Sequence, residues 1–166
     1  MNSDKYREIY GNYRQRMNAL AVSFNSVLES EEIRLFFKQQ MELRKKISGI
    51  FYKHFGEICC QCKGICCDGS IRLYKKDLLL FLSQNGLGLP ESDWNFLNDK
   101  NCCVFLSGFG CILKEFRPWQ CLKHICNEFS LDTKVLKNIS LLTDEYELNV
   151  NRLACEIQKK WYLTID

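Results

Sequence analysis

The feature that most constrains this chain is its cysteine content. The sequence of 166 residues carries 11 cysteines, and all of them except Cys155 lie between Cys59 and Cys126. The amino-terminal segment is charged and lacks the apolar stretch of a secretory signal peptide, so we expect a cytoplasmic protein in a reducing compartment. Many cysteines at short spacings in that compartment indicate metal binding rather than disulfides, and an odd number suits paired disulfides poorly.

The remaining composition is typical of one globular domain. Hydrophobic residues make up 46% and charged residues 26% of the chain, which excludes a disordered protein. The net charge of +3 is too small to indicate nucleic-acid binding. Apolar runs such as residues 78–82 are too short to span a membrane. We therefore expect a single domain, residues 1–166, that binds neither nucleic acid nor membranes.

The amino-terminal part of the chain, residues 1–56, has the periodicity of two long helices. Apolar residues recur at steps of three and four along residues 6–27, and acidic residues follow Ser30, where they favour the start of a second helix. Gly56 is a natural end for that helix. We expect an antiparallel helical hairpin, with Arg44 on the polar face of its second helix.

The middle of the chain, residues 57–130, forms the cysteine-rich region. A short helix is predicted over residues 74–85, before Gly86. Two short strands or extended segments are predicted over residues 102–106 and 111–113, because turn-forming residues separate them. A further helix is predicted to begin at Pro118 and to run to about Phe129.

The last part of the chain, residues 131–166, is predicted to form a carboxy-terminal amphipathic helix. Asp144 and Glu147 have the spacing of a capping box, which would place the helix start there. The apolar stripe from Tyr146 to Trp161 follows at helical steps. The predicted fold is therefore mainly α, with a helical hairpin and a carboxy-terminal helix around a cysteine-rich metal-binding core with little β structure.

The cysteines form two groups, and neither group alone matches a simple zinc-finger spacing. Together they hold enough sulfur for one four-cysteine site with several cysteines left over, or for a two-metal site. Cys59 and Cys62 form a CxxC step, which lets two sulfurs from one loop bind one metal. Adjacent side chains in an extended segment point to opposite faces, so one cysteine of each adjacent pair is expected to face the metal. Cys155 lies outside both groups and is expected to be an ordinary core residue.

Two motifs resemble those of the zinc- or iron-chelating domain family that is recognised by a CxxCxxCC pattern. The first is Cys59-x-x-Cys62-x-x-x-Cys66-Cys67, which has one residue more than the family pattern before its final pair. The second is a Cys-x-Phe-Leu stretch at Cys103, then Cys111, then Arg-Pro-x-x-Cys over residues 117–121.

The resemblance implies one sulfur-rich metal centre over residues 59–126. Its implied ligands are the cysteines of the two motifs: Cys59, Cys62, Cys66, Cys67, Cys103, Cys111 and Cys121. Arg117 is either a cofactor-binding residue that offsets the negative charge of thiolates or a surface arginine before a helix. The roles of Cys60, Cys102 and Cys126 stay open, and with so much sulfur present we do not expect His54 or His124 to be ligands.

Three functions are compatible with such a centre. A related cysteine motif in flagellin lysine methylase favours an iron–sulfur cluster, used for redox chemistry, sensing or support of a modification enzyme. The alternatives are a structural zinc module that acts through protein contacts, and a protein-modifying enzyme similar to flagellin lysine methylase. A protein partner is expected, and enzymatic activity stays open because no residue is identified as a catalytic base. Asp77, near the cysteines in sequence, is expected to be a solvated surface charge.

Overall fold

A computed structural model describes residues 3–61, 73–86, 88–90, 103, 105–107, 110–123 and 132–165 of the chain. These residues form a mainly helical structure, which confirms the predicted fold class. The helices are α1 Ser3–Ser23, α2 Asn25–Glu29, α3 Glu31–Gln61, α4 Lys75–Asn85, α5 Trp119–Lys123 and α6 Thr133–Trp161. Two short strands, β1 Leu106–Ser107 and β2 Gly110–Cys111, and a 3₁₀ turn, Lys114–Phe116, complete the elements. In this described part of the chain, we find no helix whose length and apolar character would allow it to span a membrane.

The apolar stripe predicted for the first helix is buried, but it is shared between α1 and α2. The hydroxyl of Ser23 donates a hydrogen bond to the carbonyl of Ala19 at 2.7 Å, and α1 ends there. Such side-chain bonds compete with the helical ladder and often bend or end helices. α1 packs mainly against α4, and the hydroxyl of Tyr10 donates to the carbonyl of Leu89 at 2.6 Å.

The long helix α3 continues past the glycine that was predicted to end it. Gly56 lies within the helix, which runs to Gln61. One interior glycine costs only about 0.5–1 kcal/mol, so the single residue does not stop a helix of this length. As a result, Cys59 and Cys60 lie in the last turn of α3 rather than in a loop.

Helix α4 is surrounded by the rest of the fold. It begins and ends close to the predicted positions, and Gly86 follows it with φ of 59°. Its residues 78–82 are all buried, because α4 packs against both α1 and α3. This helix therefore forms the centre of the larger hydrophobic core.

The cysteine-bearing elements form a small hairpin followed by α5. β1 pairs antiparallel with β2, with Leu106 opposite Cys111. Both strands are shorter than the predicted segments. β1 begins later than the predicted segment 102–106, and β2 begins one residue before the predicted segment 111–113. α5 begins at Trp119, one residue after the predicted start at Pro118, and residues 124–129 of the predicted helix lie outside the described residues.

Helix α6 begins earlier than predicted. Asp132 accepts a hydrogen bond from the amide of Lys134 at 2.8 Å and caps the helix, which starts at Thr133. The predicted capping box at Asp144 is therefore wrong, because Asp144 lies in the middle of a helix whose apolar side extends back to Ile139. The predicted stripe from Tyr146 to Trp161 is buried as far as Ile157, and Trp161 is half-buried. α6 packs mainly against α3.

Candidate metal centre

Three of the predicted ligands lie in one neighbourhood, although they come from different elements. Cys103 precedes the hairpin and is buried, Cys111 is the last residue of β2, and Cys121 lies in α5. The sulfurs are near enough for their charges to interact, since both Cys111 and Cys103 contribute to raising the pKa of Cys121. The three thiols of the second motif thus lie in one part of the fold, although within the described residues they do not by themselves form a group that could hold a metal ion.

The hairpin is held in place by an aromatic contact with α1. Phe105 is 1% exposed, and its ring centroid lies 5.5 Å from that of Tyr13 and 6.4 Å from that of Tyr10. The amide of Ile112 donates to the carbonyl of Phe105 at 2.9 Å, directly beside the strand pairing. This anchor fixes Cys111 relative to the helical core.

Burial and local polar groups act on the Cys111 thiol in opposite directions. Burial raises its pKa, whereas hydrogen bonds from the backbone of Leu113 and Lys114 and the charge of Arg117 lower it, and burial prevails. Lys114 has a positive φ of 49°, which is uncommon for a residue with a side chain. The turn after Cys111 therefore presents backbone hydrogen bonds to a sulfur that the low-polarity surroundings keep protonated.

The same balance governs Cys121. Burial raises its pKa above that of an ordinary thiol, the neighbouring Cys111 and Cys103 raise it further, and Arg117 opposes them. A bound metal would reverse this balance, because a cation favours the thiolate over the thiol.

Arg117 is buried beside these thiols. Only 7% of the residue is exposed, and its guanidinium carbon lies 4.7 Å from the ring centroid of Phe51 and 4.9 Å from that of Tyr52. Nε donates to the carbonyl of Lys114 at 3.0 Å, whereas the buried Nη2 has no hydrogen-bond partner among the described residues. Arg117 is thus no surface arginine.

The other predicted positions are not all described. Cys59 and Cys60 lie in the last turn of α3, described for the backbone only, and His54 is exposed on the same helix. Cys155 is exposed on α6, so the expectation of a core residue was wrong. The remaining predicted positions, which lie outside the described residues, are Cys62, Cys66, Cys67, Cys102, His124 and Cys126.

The described side chains do not make a complete metal site by themselves. Within this part of the chain, no three or more histidine, cysteine or acidic side chains are arranged to hold a metal ion. The four cysteines with described side chains also form no disulfide with one another. A complete centre would therefore need ligands from outside the described side chains.

A buried polar network, which the sequence analysis missed, lies next to these thiols. Arg44 is 0% exposed, and its guanidinium donates to the hydroxyl of Tyr146 at 2.8 Å and to the carbonyl of Arg117 at 2.8 Å. Its third contact is an ion pair with Asp77 at 2.5 Å. Burial alone would lower the pKa of Arg44, but Tyr146 and Asp77 outweigh burial and raise it. The expected surface positions of Arg44 and Asp77 were therefore wrong.

Asp77 joins this network to the start of α5. Its carboxylate accepts hydrogen bonds from the backbone amide of Tyr74 at 3.2 Å and from that of Trp119 at 3.0 Å. One sequence signal could have identified its partner: Arg44 lies seven residues from both Phe37 and Phe51, which are buried on α3. Residues seven apart share a helical face, so the position is an inward one.

Helix α6 completes the network through aromatic and charged contacts. The ring of Trp119 stacks on that of Tyr146 with centroids 4.2 Å apart. The indole Nε1 of Trp119 donates to Glu147 at 2.9 Å, and Lys123 pairs with the same carboxylate at 2.7 Å. These contacts tie α5, and hence Cys121, to α6.

Comparison with known proteins adds no family assignment to this geometry. No family model, no curated protein and no solved structure matches the chain. The likeness to the zinc- or iron-chelating domain family therefore stays a prediction that rests on the two cysteine motifs.

Proposed function

We propose that this chain is a cysteine-ligated metal protein. Its centre would combine Cys103, Cys111 and Cys121 with the ligands of the first motif, Cys59, Cys62, Cys66 and Cys67. The observation that carries the proposal is the burial of Arg117 between the two motif positions Cys111 and Cys121, with an Nη2 that has no hydrogen-bond partner among the described residues. Since α3 carries Cys59 in its last turn and Phe51 beneath the Arg117 guanidinium, the first motif starts from a helix that contacts this site.

A buried arginine beside cysteines fits a negatively charged thiolate centre better than an ordinary hydrophobic core. A buried guanidinium nitrogen without a partner costs free energy, on the order of 1–3 kcal/mol, and Nη2 of Arg117 is such a nitrogen within the described residues. A centre with more thiolates than metal charge is negative, so it would offset the charge of Arg117 and offer sulfur acceptors to Nη2. Hydrogen bonds to the sulfurs are also a means by which proteins tune such centres.

The favoured cofactor is an iron–sulfur cluster that serves redox chemistry, sensing or support of a modification enzyme, in the cytoplasm and with a protein partner. This choice rests on the likeness of the cysteine motif to that of flagellin lysine methylase. Zinc is the alternative, since four thiolates in a tetrahedral arrangement suit both metals. When bound, a cluster would supply electron transfer, whereas zinc would supply structural cross-linking alone.

The test is metal analysis of protein purified without oxygen. Iron and sulfide with a broad visible absorption band support the cluster, and a colourless protein with stoichiometric zinc supports the structural alternative. Protein that holds neither metal after purification and reconstitution contradicts the proposal.

The ligands are tested with two cysteine variants and a matched control. We expect Cys62→Ser and Cys111→Ser to lose most of the bound metal, because both positions belong to the proposed centre. Cys155→Ser should keep it, because Cys155 is exposed on α6. Equal metal content in all three variants would rule out the ligand assignment.

A further inference from the structure

The buried pair Arg44–Asp77 holds the segment that carries two residues of the proposed centre. Arg44 donates to the carbonyl of Arg117 at 2.8 Å, and Asp77 accepts from the amide of Trp119 at 3.0 Å. The two contacts are made to the backbone on either side of Pro118. Residues 117–121, which we call the connecting segment, are thus fixed by groups from α3 and α4.

The connecting segment is stiff enough to transmit this placement. Proline has a fixed φ, and Pro118 accepts hydrogen bonds from the amides of Cys121 at 2.8 Å and Leu122 at 3.2 Å. Cys121 therefore lies one helical turn beyond the fixed point. At the other end, Arg117 is directly attached to the carbonyl that Arg44 holds.

We propose that Arg44 and Asp77 are positioning residues for the proposed metal centre, a role that rests on the proposed function. They touch the backbone of the connecting segment and hold it so that Arg117 and Cys121 lie beside Cys111. The position of the Arg44 guanidinium is well defined, because its three nitrogens donate to Tyr146 of α6, to Asp77 of α4 and to the carbonyl of Arg117 in the connecting segment. A displaced guanidinium or carboxylate would shift the segment together with its sulfur.

The competing explanation is that the pair only stabilises the fold, and Tyr146 provides the control that separates the two. The Tyr146 hydroxyl accepts from Nε of Arg44 at 2.8 Å, so Tyr146→Phe removes one buried hydrogen bond of the same network. The phenylalanine ring can keep the stacking on Trp119, and both backbone contacts of the connecting segment remain. Tyr146→Phe thus lowers stability without releasing the segment.

The experiment compares Arg44→Lys and Asp77→Glu with Tyr146→Phe in the full chain as purified. Both test variants keep their charge, so a changed reactivity of Cys121 does not arise from a changed net charge nearby. Lysine cannot reproduce the forked donation of arginine, and the longer glutamate displaces the carboxylate. Either variant alone decides the question if the other does not fold.

The readout is the rate at which iodoacetamide labels Cys121 in the folded protein, followed by trypsin digestion and mass spectrometry. Cys121 is the only cysteine of the tryptic peptide 115–123, and the exposed Cys155 is the only cysteine of peptide 153–159. Labelling of Cys155 therefore serves as the internal reference for reagent activity. Melting temperatures are measured for the same samples.

We expect Cys121 to be labelled about tenfold faster in Arg44→Lys and Asp77→Glu, which corresponds to about 1.4 kcal/mol of lost local protection. In Tyr146→Phe, Cys121 should be labelled at the rate of the parent protein, even if the melting temperature of this variant falls as much as those of the two test variants. A rise in labelling that follows the melting temperature in all three variants, or no rise at all, overturns the positioning role. Metal content is measured in the same samples, because a bound metal also protects Cys121 from the reagent. Absence of metal from the parent protein contradicts the proposed function, whereas the difference in Cys121 labelling between the variants tests the positioning role.

Discussion

Replacing Arg44 by methionine gives the most direct test of the buried network. The substitution keeps an unbranched, largely apolar stem but removes the guanidinium, and it leaves Asp77, which is 3% exposed, without its cation. Breaking one partner of a buried ion pair costs about 3–5 kcal/mol. The carbonyl of Arg117 and the hydroxyl of Tyr146 also lose a donor. Because these losses are not independent, we expect a total of about 4 kcal/mol, a large part of the roughly 5–15 kcal/mol by which a domain is stable.

The matched control is the neighbouring residue on the same helix. Lys45 pairs with Glu42 at 3.0 Å, but the two side chains are 53% and 57% exposed. Exposed pairs contribute roughly 0.2–1 kcal/mol, so Lys45→Met should change the free energy of unfolding by less than about 1 kcal/mol.

Urea denaturation measures both variants. With a slope of about 2 kcal/mol per molar urea, Arg44→Met should lower the unfolding midpoint by about 2 M and Lys45→Met by less than about 0.5 M. Midpoints that agree for the two variants would refute the reasoning, since they would mean that the buried pair contributes no more than a surface pair.

Two further predictions concern pH and metal removal. The pKa of Glu147 is lowered by its hydrogen bonds with Lys123 and Trp119, so its contribution to stability is present above the ordinary value of 4.5 and is lost as the pH falls through the lower folded pKa. Glu147→Gln should therefore be less stable than the parent protein at pH 7, by less than about 1 kcal/mol because the site is partly exposed. The difference between the two urea midpoints should vanish in acid. A difference that persists in acid contradicts the stabilising role of the Glu147 carboxylate. Chelation of the bound metal should speed hydrogen exchange within residues 57–130. α1 and α6 should stay protected, because these helices bury their own apolar stripes. A uniform rise in exchange rate along the described helices would contradict a local metal centre.

Most helices could be predicted from the spacing of apolar residues. The stripe along residues 6–27, the short helix before Gly86 and the start of α5 after Pro118 all follow from periodicity and from local backbone preferences. Helix ends were less predictable. Gly56 and Asp144 each have a local preference for ending or starting a helix. A cost of about 1 kcal/mol at one glycine does not end a helix as long as α3, and in α6 buried residues such as Ile139 already precede Asp144.

The candidate site also has one part that the sequence predicts and one part that it does not. The resemblance to the second family motif selects Cys103, Cys111 and Cys121 as predicted ligands, since that motif can be read from residues that are close along the chain. Spacing alone does not show that Arg117 is buried against Phe51 and Tyr52, since these residues come from a helix far away in the chain.

The sequence by itself determined the helical class, the apolar faces and the cysteine motifs, since these depend on residues that are neighbours along the chain. Only the tertiary structure decided that Arg44 and Asp77 are buried and paired. A charged residue on a helix normally faces water, because burying an unpaired charge is costly. The cost is offset here by partners that lie 33, 73 and 102 residues away in the sequence, and no local pattern can reveal contacts that exist only after α3, α4 and α6 have packed.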